Sequence, residues 1–404
     1  MEHTGLEPVT STLPVWRAPN CANAPKKLYL NSCNYDNIRI MKNIELNERN
    51  LKLLGRTLPC ENGLLMSLSG TGVEFDYTGC GLDITLKAGS ASEIPDNDAN
   101  YARIAVYVDD KRVIDMQLSA PVTTLHIAES DTTHTSRIRL IKLSEVAMSL
   151  VYVDRIEIGE EESITPVPAS DHKIEFIGDS ITCGYGVDDE DPLHPFKTAT
   201  EDVTRAYAYK TAMQLGADYS MFSASGYGII SGYTDDPAKR NEPELIPPYY
   251  ESMGLSHDSL PDIPDTQEIM WDFYRFIPDV IVINLGTNDD SFCQDDKDKQ
   301  SEFIARYTDF LKVVRSHNMD AHIICILGLM GDRLYPCVCD AVSDYVDETG
   351  DMRISTVHLT EQDAEAGYVS DYHPLESAHT KAAGELIRAI RRVPSFARSS
   401  RPSA

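Results

Sequence analysis

The chain has 404 residues, 42% of them hydrophobic, and this length and composition predict about two to three domains with well-buried cores. Acidic residues (64) outnumber lysines and arginines (36), and the formal net charge of −28 excludes nucleic acid and anionic membrane surfaces as expected partners. No apolar run approaches the roughly 18 residues that a membrane-spanning helix needs. These features favour a soluble protein that acts on a neutral substrate.

The beginning of the chain has the composition of a loose N-terminal extension. Residues 1–40 are rich in Pro, Asn and Thr and show no clear periodicity. They lack the basic stretch and the apolar segment of a secretory signal. A domain-like pattern begins near Met41, which we interpret either as the true start of the protein or as the end of an extension.

The cysteine pattern favours a reducing compartment. Nine cysteines occur without a regular framework, and an odd number with no secretion signal is typical of reduced thiols in a cytosol. Cys337 and Cys339 form a Cys-x-Cys pair, but nothing nearby in the sequence completes a four-ligand metal set. We therefore expect a cytoplasmic protein with no metal and no cofactor.

Residues 41–165 show the period-2 alternation of β-strands. Strands of this kind, spaced about ten residues apart, predict an antiparallel β-sandwich of jelly-roll type. The acidic stretch 159–171, which contains Pro166 and Pro168, is interpreted as a linker. The alternating segments lie at 63–68, 72–77, 102–108, 113–118, 136–143 and 150–158.

Residues 171–395 change to an alternation of strands and helices. This pattern predicts an α/β domain, a parallel sheet with helices on both faces. The stretch 231–276, rich in Pro and Tyr, interrupts the rhythm and is interpreted as a substrate wall or lid, or as a packed surface excursion. We predict strands at 174–178, 219–223, 279–284, 321–327 and 353–358, and helices at 203–216, 300–317, 334–348 and 376–392.

Ser180 is the first candidate catalytic residue. It follows a strand-like run that ends at Gly178-Asp179, at the point where a helix can begin. Such a turn exposes the hydroxyl at the carboxyl edge of a sheet and directs helix N-terminal amides at any negative charge formed there. Taken alone, Asp and Ser at this position are equally typical of helix capping.

Three further short blocks follow Ser180 in the sequence. Phe222-Ser223-Ala224-Ser225-Gly226 and the run ending Gly286-Thr287-Asn288-Asp289 each follow a predicted strand, and Asp371-Tyr372-His373-Pro374 precedes the last predicted helix. In this order they resemble the four blocks of the SGNH (GDSL-like) hydrolases, named for Ser, Gly, Asn and His. All four blocks in order form a far stronger signal than any one of them. The resemblance implies the flavodoxin-like, three-layer form of the predicted α/β fold.

The resemblance implies a serine hydrolase site. Ser180 would be the nucleophile and His373 the base that takes its proton. The oxyanion donors would be the backbone amides of Ser180 and Gly226 and the side-chain amide of Asn288. A glycine at 226 suits a close approach of backbone to substrate, because it has no Cβ. His379 is interpreted as structural.

The third member of a triad departs from the family pattern. The usual spacing is Asp-x-x-His, whereas Asp371 lies only two positions before His373. A tightened turn would let Asp371 reach the imidazole, or a backbone carbonyl would hold the tautomer instead. The orienter's role matters more than its sequence position, so both alternatives stay open.

The two halves together resemble carbohydrate esterase family 2. The resemblance in domain organisation covers roughly residues 41–393. It is most specific in four segments, 174–186, 222–230, 280–289 and 371–379. It implies removal of O-acetyl groups from plant polysaccharides such as xylan and glucomannan, without metal, by a family that includes members lacking the triad acid. In a cytosol, imported acetylated oligosaccharides would be the substrate, while the sugar, the hydroxyl and the oligomeric state stay open.

Two other functions stay open at this point. Another SGNH activity, such as a thioesterase or a lysophospholipase, would need a long apolar acyl pocket and would leave the sandwich without an obvious task. A non-catalytic carbohydrate-binding protein with a degenerate hydrolase domain is disfavoured by the intact Ser, Gly, Asn and His blocks. The sandwich is interpreted as structural rather than as an independent lectin, because fold alone does not confer sugar binding.

Overall fold

A computed structural model describes residues 28–30, 38–394 and 396. Most of the predicted extension, 1–27 and 31–37, therefore lies outside the described residues. Within 1–40, however, Leu28–Leu30 and the start of Ile38–Asn43 are antiparallel partners in a sheet, where the sequence predicted a loose segment. Ile38–Asn43 also pairs with a later strand, so ordered structure begins before Met41.

The first half of the described chain is a β-sandwich of two antiparallel sheets. One sheet has the strand order β1-β2-β12-β5-β4, with β7 pairing with β12 and with β10; the other has the order β13-β6-β11-β8-β9, with β3 pairing with β6. The strands are β1 (Leu28–Leu30), β2 (Ile38–Asn43), β3 (Lys52–Leu54), β4 (Leu58–Cys60), β5 (Gly63–Met66), β6 (Gly72–Gly79), β7 (Leu82–Ala88), β8 (Arg103–Val108), β9 (Lys111–Gln117), β10 (Val122–Ile127), β11 (His134–Lys142), β12 (Val151–Gly159) and β13 (Ser163–Pro166).

Alternation along these strands builds the sandwich core. Val73, Phe75 and Tyr77 occupy alternate positions of β6, and all three are fully buried in a cluster that draws on both sheets. Successive side chains of a strand point to opposite faces, so this spacing directs one face of β6 inward. The stretch predicted as a linker is partly sheet, since β13 pairs with β6.

The second half is a three-layer α/β unit with a five-stranded parallel sheet. Its strand order is β15-β14-β16-β17-β18, which in chain order is the flavodoxin-like order 2-1-3-4-5. This confirms the predicted fold class. The strands are β14 (Lys173–Gly178), β15 (Asp218–Ser223), β16 (Val280–Asn284), β17 (His322–Leu327) and β18 (Ile354–His358), and the helices are α1 (Ser180–Cys183), α2 (Tyr207–Leu215), α3 (Thr287–Cys293), α4 (Lys297–His317), α5 (Tyr335–Thr349) and α6 (Glu376–Ile390).

Helices pack against the apolar side chains on both faces of the parallel sheet and form the two outer layers. α2 and α6 pack on one face together with Phe176 and Val282, and α4 and α5 pack on the other with Ile177 and Ile283. Both faces are covered, which is why the strands have nearly continuous apolar sequences. None of the described helices combines the length and the apolarity needed to cross a bilayer.

The two halves share buried structure where they meet. The core on the α2–α6 side also takes in Leu54, Ile141 and Leu143 from the sandwich. The segment 231–276 fills another part of the junction: the His257 N–H donates to the Ala147 carbonyl at 2.9 Å, and the Ser67 hydroxyl donates to the Met253 carbonyl at 3.1 Å. Much of this segment is therefore a packed strap between the halves rather than a lid.

A fully buried arginine joins three parts of the chain at this junction. Arg56, which follows β3, donates to the carbonyl oxygens of Tyr250 and Ser252 at 2.6 and 2.9 Å and pairs with Glu175 of β14 at 3.1 Å. Its guanidinium also lies over the Phe222 ring, 4.5 Å from the centroid. A buried charge with this many partners is stable only as long as all of them are in place.

We expect Arg56→Met to destabilise the protein by about 3–5 kcal/mol, because the substitution leaves the Glu175 carboxylate buried without its counter-charge. Urea unfolding followed by circular dichroism measures the change. Arg137→Met is the control: Arg137 pairs with Asp76 at 3.0 Å but is 43% exposed, so its loss should cost less than about 1 kcal/mol. Equal effects of the two substitutions would contradict this account of the junction.

Candidate active site

The nucleophile candidate lies on a sharp turn at the carboxyl end of β14. Asp179 caps α1, and its carboxylate accepts the Ile181 N–H at 3.0 Å, so Ser180 is the first residue of this short helix. Gly178 lets helix and strand approach closely, because a Cβ there would lie 2.1 Å from the Thr182 hydroxyl. Ser180 thus presents both its hydroxyl and an N-terminal N–H at the sheet edge.

His373 lies within hydrogen-bond reach of the Ser180 hydroxyl. The distance from His373 Nε2 to Ser180 Oγ is 2.8 Å, although 193 residues separate the two in sequence. This distance is in the range in which a base can take a proton. The structure therefore brings together the predicted nucleophile and the predicted base.

A backbone carbonyl faces the other nitrogen of the imidazole. His373 Nδ1 lies 3.2 Å from the carbonyl oxygen of Asp371. A carbonyl can only accept, so Nδ1 carries the hydrogen and Nε2 is free to accept the Ser180 proton. The backbone at Asp371 and Tyr372 is left-handed, with φ of +50° and +59°, and this turn directs the carbonyl at the ring.

The carboxylate of Asp371 lies elsewhere, which corrects its assignment as the acid of a triad. Its Oδ2 accepts the Tyr185 hydroxyl at 2.6 Å and the Phe196 N–H at 3.1 Å. Because Asp371 lies two positions before His373, its backbone carbonyl faces the imidazole and its side chain points away from the ring. Of the two alternatives that the sequence left open, the structure shows the Ser–His pair with a backbone orienter.

Tyr185 is a site residue that the sequence did not single out. Its ring stacks on the His373 imidazole with centroids 3.8 Å apart, and Phe196 stacks on the other side of Tyr185 at 4.3 Å. The Asp371 carboxylate thus holds the hydroxyl of the tyrosine that covers the predicted base. Tyr185 belongs to the Gly-Tyr-Gly that follows Ser180. Nothing in that local sequence indicates that the tyrosine contacts His373 or Asp371, which lie almost 190 residues later.

Burial controls the protonation of the base. Loss of solvent around the ring lowers the pKa of His373 to about 4, and the Asp371 backbone only partly offsets this. The imidazole is therefore neutral, the form needed for a base, over the whole range from mildly acidic to neutral pH. His379 is buried behind this region and accepts the Tyr207 N–H at 3.3 Å, as its structural assignment requires.

The predicted oxyanion donors lie on three separate strand ends. Ser180 follows β14, Gly226 follows β15 and Asn288 follows β16. Gly226 has a left-handed φ of +83°, and its N–H has no acceptor among the described residues. One hydrogen of the Asn288 amide bonds to the Tyr227 carbonyl at 2.9 Å, which leaves the other hydrogen of this amide to donate to substrate.

Asp289 holds the loop that carries Gly226. Its buried carboxylate accepts the N–H groups of Ile229, Ile230 and Ser231 at 2.7–3.1 Å. Burial raises the pKa of Asp289 to about 6, while these N–H groups lower it. The sequence placed Asp289 in the Gly-Thr-Asn-Asp block but assigned it no role, because its partners lie about 60 residues earlier.

One group of potential metal ligands exists among the described residues, where the sequence predicted none. It consists of Glu145, Cys183 and Glu201, with one donor atom of each within 4.8 Å of the others. The carboxylates are already engaged, since Glu145 accepts the Ser225 N–H at 2.5 Å and Glu201 accepts the Glu145 N–H at 2.9 Å. All seven cysteines in the described residues are free, and Cys21 and Cys33 lie outside them.

Both halves of the chain match known protein families. Residues 53–168 match the Carbohydrate esterase 2 N-terminal family, and residues 176–381 match the GDSL-like Lipase/Acylhydrolase family. The chain belongs to the GDSL-like lipase/acylhydrolase family. The match of the N-terminal half connects this family member to the family 2 carbohydrate esterases, as the resemblance of the sequence blocks implied.

Similar proteins with curated names are esterases of carbohydrates. The chain is 29% identical over 335 residues to the cellulase/esterase CelE of Acetivibrio thermocellus, covering 82% of this chain but only 38% of that protein. It is 26% identical over 328 residues to an acetylxylan esterase / glucomannan deacetylase of Cellvibrio japonicus, covering 79% of this chain and 84% of the relative. The chain thus spans well under half of the first relative and most of the second.

Solved structures share the two-domain architecture. A family two carbohydrate esterase from Clostridium thermocellum, in complex with cellohexaose, superposes with a TM-score of 0.72 at 27% identity over 86% of this chain and 99% of that one. An acetyl xylan esterase from the rumen bacterium Butyrivibrio proteoclasticus has a TM-score of 0.75 over 88% of this chain and 98% of that one, and at 24% identity it shows the common fold.

We expect Asp371→Asn to lower kcat by about ten-fold or less, because an asparagine oxygen can still accept from Tyr185 and the backbone carbonyl still faces His373. Loss of a true triad acid would cost about ten-thousand-fold. Steady-state kinetics on p-nitrophenyl acetate decide between these outcomes. Tyr185→Phe, which removes only the hydroxyl that bonds to Asp371, is the matched control and should have a similarly small effect.

The pH dependence of kcat/KM should follow the lowered pKa of His373. The base works only when neutral, so kcat/KM should stay level as pH falls from about 8 and decline through about 4. A profile measured on p-nitrophenyl acetate, with circular dichroism to verify folding at each pH, tests this. Tyr185→Ala uncovers the ring and should move the midpoint upward, towards 6.5. A wild-type midpoint near 6.5 would contradict the assignment.

Proposed function

We propose that this protein is a serine esterase that removes O-acetyl groups from acetylated plant-type oligo- or polysaccharides through an acyl-enzyme intermediate. The observation that carries the proposal is the 2.8 Å hydrogen bond between Ser180 and His373, and the predicted oxyanion donors at the ends of the neighbouring strands support it. The matches of both halves to esterase families supply the chemical class, and the named relatives supply the substrate class.

The reaction follows from these positions. Ser180 Oγ attacks the acetyl carbonyl carbon while His373 Nε2 takes the hydroxyl proton, and the carbonyl oxygen becomes an oxyanion. The N–H groups of Ser180 and Gly226 and the Asn288 amide donate to that oxygen. The tetrahedral adduct then collapses, His373 returns the proton to the departing sugar oxygen, and the acetyl group stays on Ser180.

Hydrolysis of the acyl-enzyme repeats the same steps with water. His373 takes a proton from water, the resulting hydroxide attacks the acetyl carbonyl, and collapse releases acetate and restores the Ser180 hydroxyl. Throughout, the Asp371 carbonyl accepts from Nδ1 and keeps the imidazole in one orientation. A carbonyl dipole stabilises the transient imidazolium less than a carboxylate would, so more of the rate depends on the oxyanion donors.

The surroundings of Ser180 support a substrate ester with a short acyl group and a large alcohol part. A cavity of about 1110 Å³ exists, but it lies at the amino ends of β14 and β15, and Ser180 and His373 line neither it nor two smaller cavities of about 420 and 10 Å³. Because none of these three cavities reaches Ser180, they offer no space for a long acyl chain, which favours acetyl esters over long-chain lipids. Tyr372, beside the base, is 55% exposed and offers a flat face to a sugar ring.

The size of the natural substrate depends on the compartment. If the protein is cytoplasmic, as the sequence predicts, acetylated oligosaccharides rather than intact polymers are its substrates. The free thiols among the described residues support this part of the proposal.

We expect the wild-type protein to release acetate from acetylated xylo- and glucomanno-oligosaccharides, and Ser180→Ala to retain no more than a trace of this activity with an unchanged fold. Acetate release, measured enzymatically, and a series of p-nitrophenyl esters from acetate to octanoate provide the tests. Thr182→Ala, in the same helix, is the control for local packing. Preference for octanoate, or normal acetate release by Ser180→Ala, would overturn the proposed function.

A further inference from the structure

A buried polar cluster lies where the sandwich meets the nucleophile helix. The sandwich contributes Lys142, the last residue of β11, and Glu145 in the turn that follows. The α/β half contributes Cys183, the last residue of α1, and Glu201. All four side chains are fully buried, and the reaction outlined above uses none of them.

Glu145 contacts both backbone segments that carry oxyanion donors. Its Oε2 accepts the Ser225 N–H at 2.5 Å, and Ser225 immediately precedes Gly226. The same oxygen accepts the Cys183 thiol at 3.6 Å, and Cys183 ends the helix that begins at Ser180. One carboxyl group of the sandwich therefore lies against both sides of the oxyanion hole.

Hydrogen bonds from both halves of the protein fix the Glu145 backbone. The Lys142 ammonium donates to the carbonyl oxygens of Ser144 and Glu145 at 2.6 and 2.7 Å. The Glu145 N–H donates to Glu201 at 2.9 Å. Because the base of the side chain is fixed in this way, the carboxyl group has a defined position from which to hold Ser225.

The protein interior shifts both carboxyl groups of the cluster towards their neutral, protonated form. Burial raises the pKa of Glu145 and of Glu201, and the nearby Glu145 carboxylate raises the pKa of Glu201 further. Burial also lowers the pKa of Lys142, to about 8, while the neighbouring Glu201 and Glu145 carboxylates raise it. Glu145 Oε1 and Glu201 Oε1 have no hydrogen-bond partner among the described residues.

The loop that carries Gly226 is thus held at both ends by buried carboxyl groups. Asp289 accepts the N–H groups of residues 229–231, as described above, and Glu145 accepts that of Ser225. Gly226 lies between these two attachments in a left-handed conformation, and its own N–H has no acceptor in the described part of the chain. The left-handed conformation of Gly226 and the direction of its N–H depend on both attachments.

We propose that Glu145 is a positioning residue for the oxyanion hole, supplied by the sandwich, which acts through Ser225 on the Gly226 N–H. The proposal rests on the proposed function. It gives the N-terminal half a role in catalysis that requires no contact with substrate. The role requires an acceptor oxygen at this position and not a negative charge.

The main test is the kinetics of Glu145→Ala and Glu145→Gln. A displacement of about 1 Å in a catalytic group can cost about a hundred-fold, so we expect Glu145→Ala to lower kcat by about ten- to a hundred-fold with KM changed about two-fold at most. The amide oxygen of Glu145→Gln still accepts from Ser225, so this variant should keep kcat within about three-fold of wild type. The contrast between Ala and Gln is the result that a purely structural role would not produce.

Asp258→Ala is the matched control. Asp258 is another buried carboxylate at the same junction, and it accepts the N–H groups of Leu150 and Ala91 at 2.8 and 3.0 Å. It makes no hydrogen bond to residues 223–231. We expect this variant to lower the melting temperature while kcat per folded molecule stays at the wild-type value.

A second measurement monitors the oxyanion hole without turnover of a sugar ester. The rate at which a p-nitrophenyl methylphosphonate ester phosphonylates Ser180 depends on the same donors, and we expect it to fall in Glu145→Ala in parallel with kcat. Should Glu145→Ala not fold, Glu145→Asp takes its place, since its shorter side chain withdraws the carboxyl group from Ser225 and should lower both rates.

The outcomes distinguish this proposal from the proposed function. Absence of esterase activity in the wild type overturns the proposed function, while phosphonylation still reports on Glu145. Wild-type kcat in Glu145→Ala or Glu145→Asp, or an equal loss in Glu145→Gln and Glu145→Ala, overturns the positioning role. One metal ion per chain in purified wild type, lost in Cys183→Ser, would also overturn it, because the cluster would then be a metal site.

Discussion

The architecture depends on one wholly buried guanidinium, that of Arg56. It bonds to the strap at Tyr250 and Ser252 and to Glu175 of β14, the strand that ends at the nucleophile turn. Removing a guanidinium and a carboxylate from water is costly, and the cost is offset only when every partner is in place. The sandwich, the strap and the nucleophile strand are therefore fitted together as one unit, and the position of Ser180 is tied to that of the sandwich.

The active-site geometry follows the same rule on a smaller scale. Its donors lie on short turns after strands, and such turns are held by hydrogen bonds to buried polar groups rather than by regular structure. Asp179 caps the nucleophile helix, Asp289 holds the loop after Gly226, and the Asp371 carbonyl holds the imidazole. Asp179 and Asp289 are inside the protein, where an unpaired N–H would be most costly.

A backbone carbonyl faces His373 where a triad would place a carboxylate, and an aromatic ring covers the same imidazole. Asp371 still contributes its side chain, but to Tyr185, which stacks on His373 and excludes water from one face of the ring. The carbonyl orients the imidazole, and the aromatic cover keeps it neutral. Orientation and neutrality, which a buried triad acid would influence together, are here provided by the Asp371 carbonyl and by the Tyr185 ring that the Asp371 carboxylate holds.

The sequence alone determined the parts of this protein that depend on neighbours along the chain. Strand alternation, the change to strand–helix rhythm at residue 171 and the positions of Ser180, Gly226 and Asn288 at strand ends are all local patterns, so they were predicted. Which oxygen of Asp371 faces His373 was decided only by the tertiary structure, because it depends on Tyr185 and Phe196, nearly two hundred residues earlier. The same holds for Arg56 and for Glu145, which lies 80 residues from Ser225. Buried polar partners are brought together by packing, and no local period or motif records them.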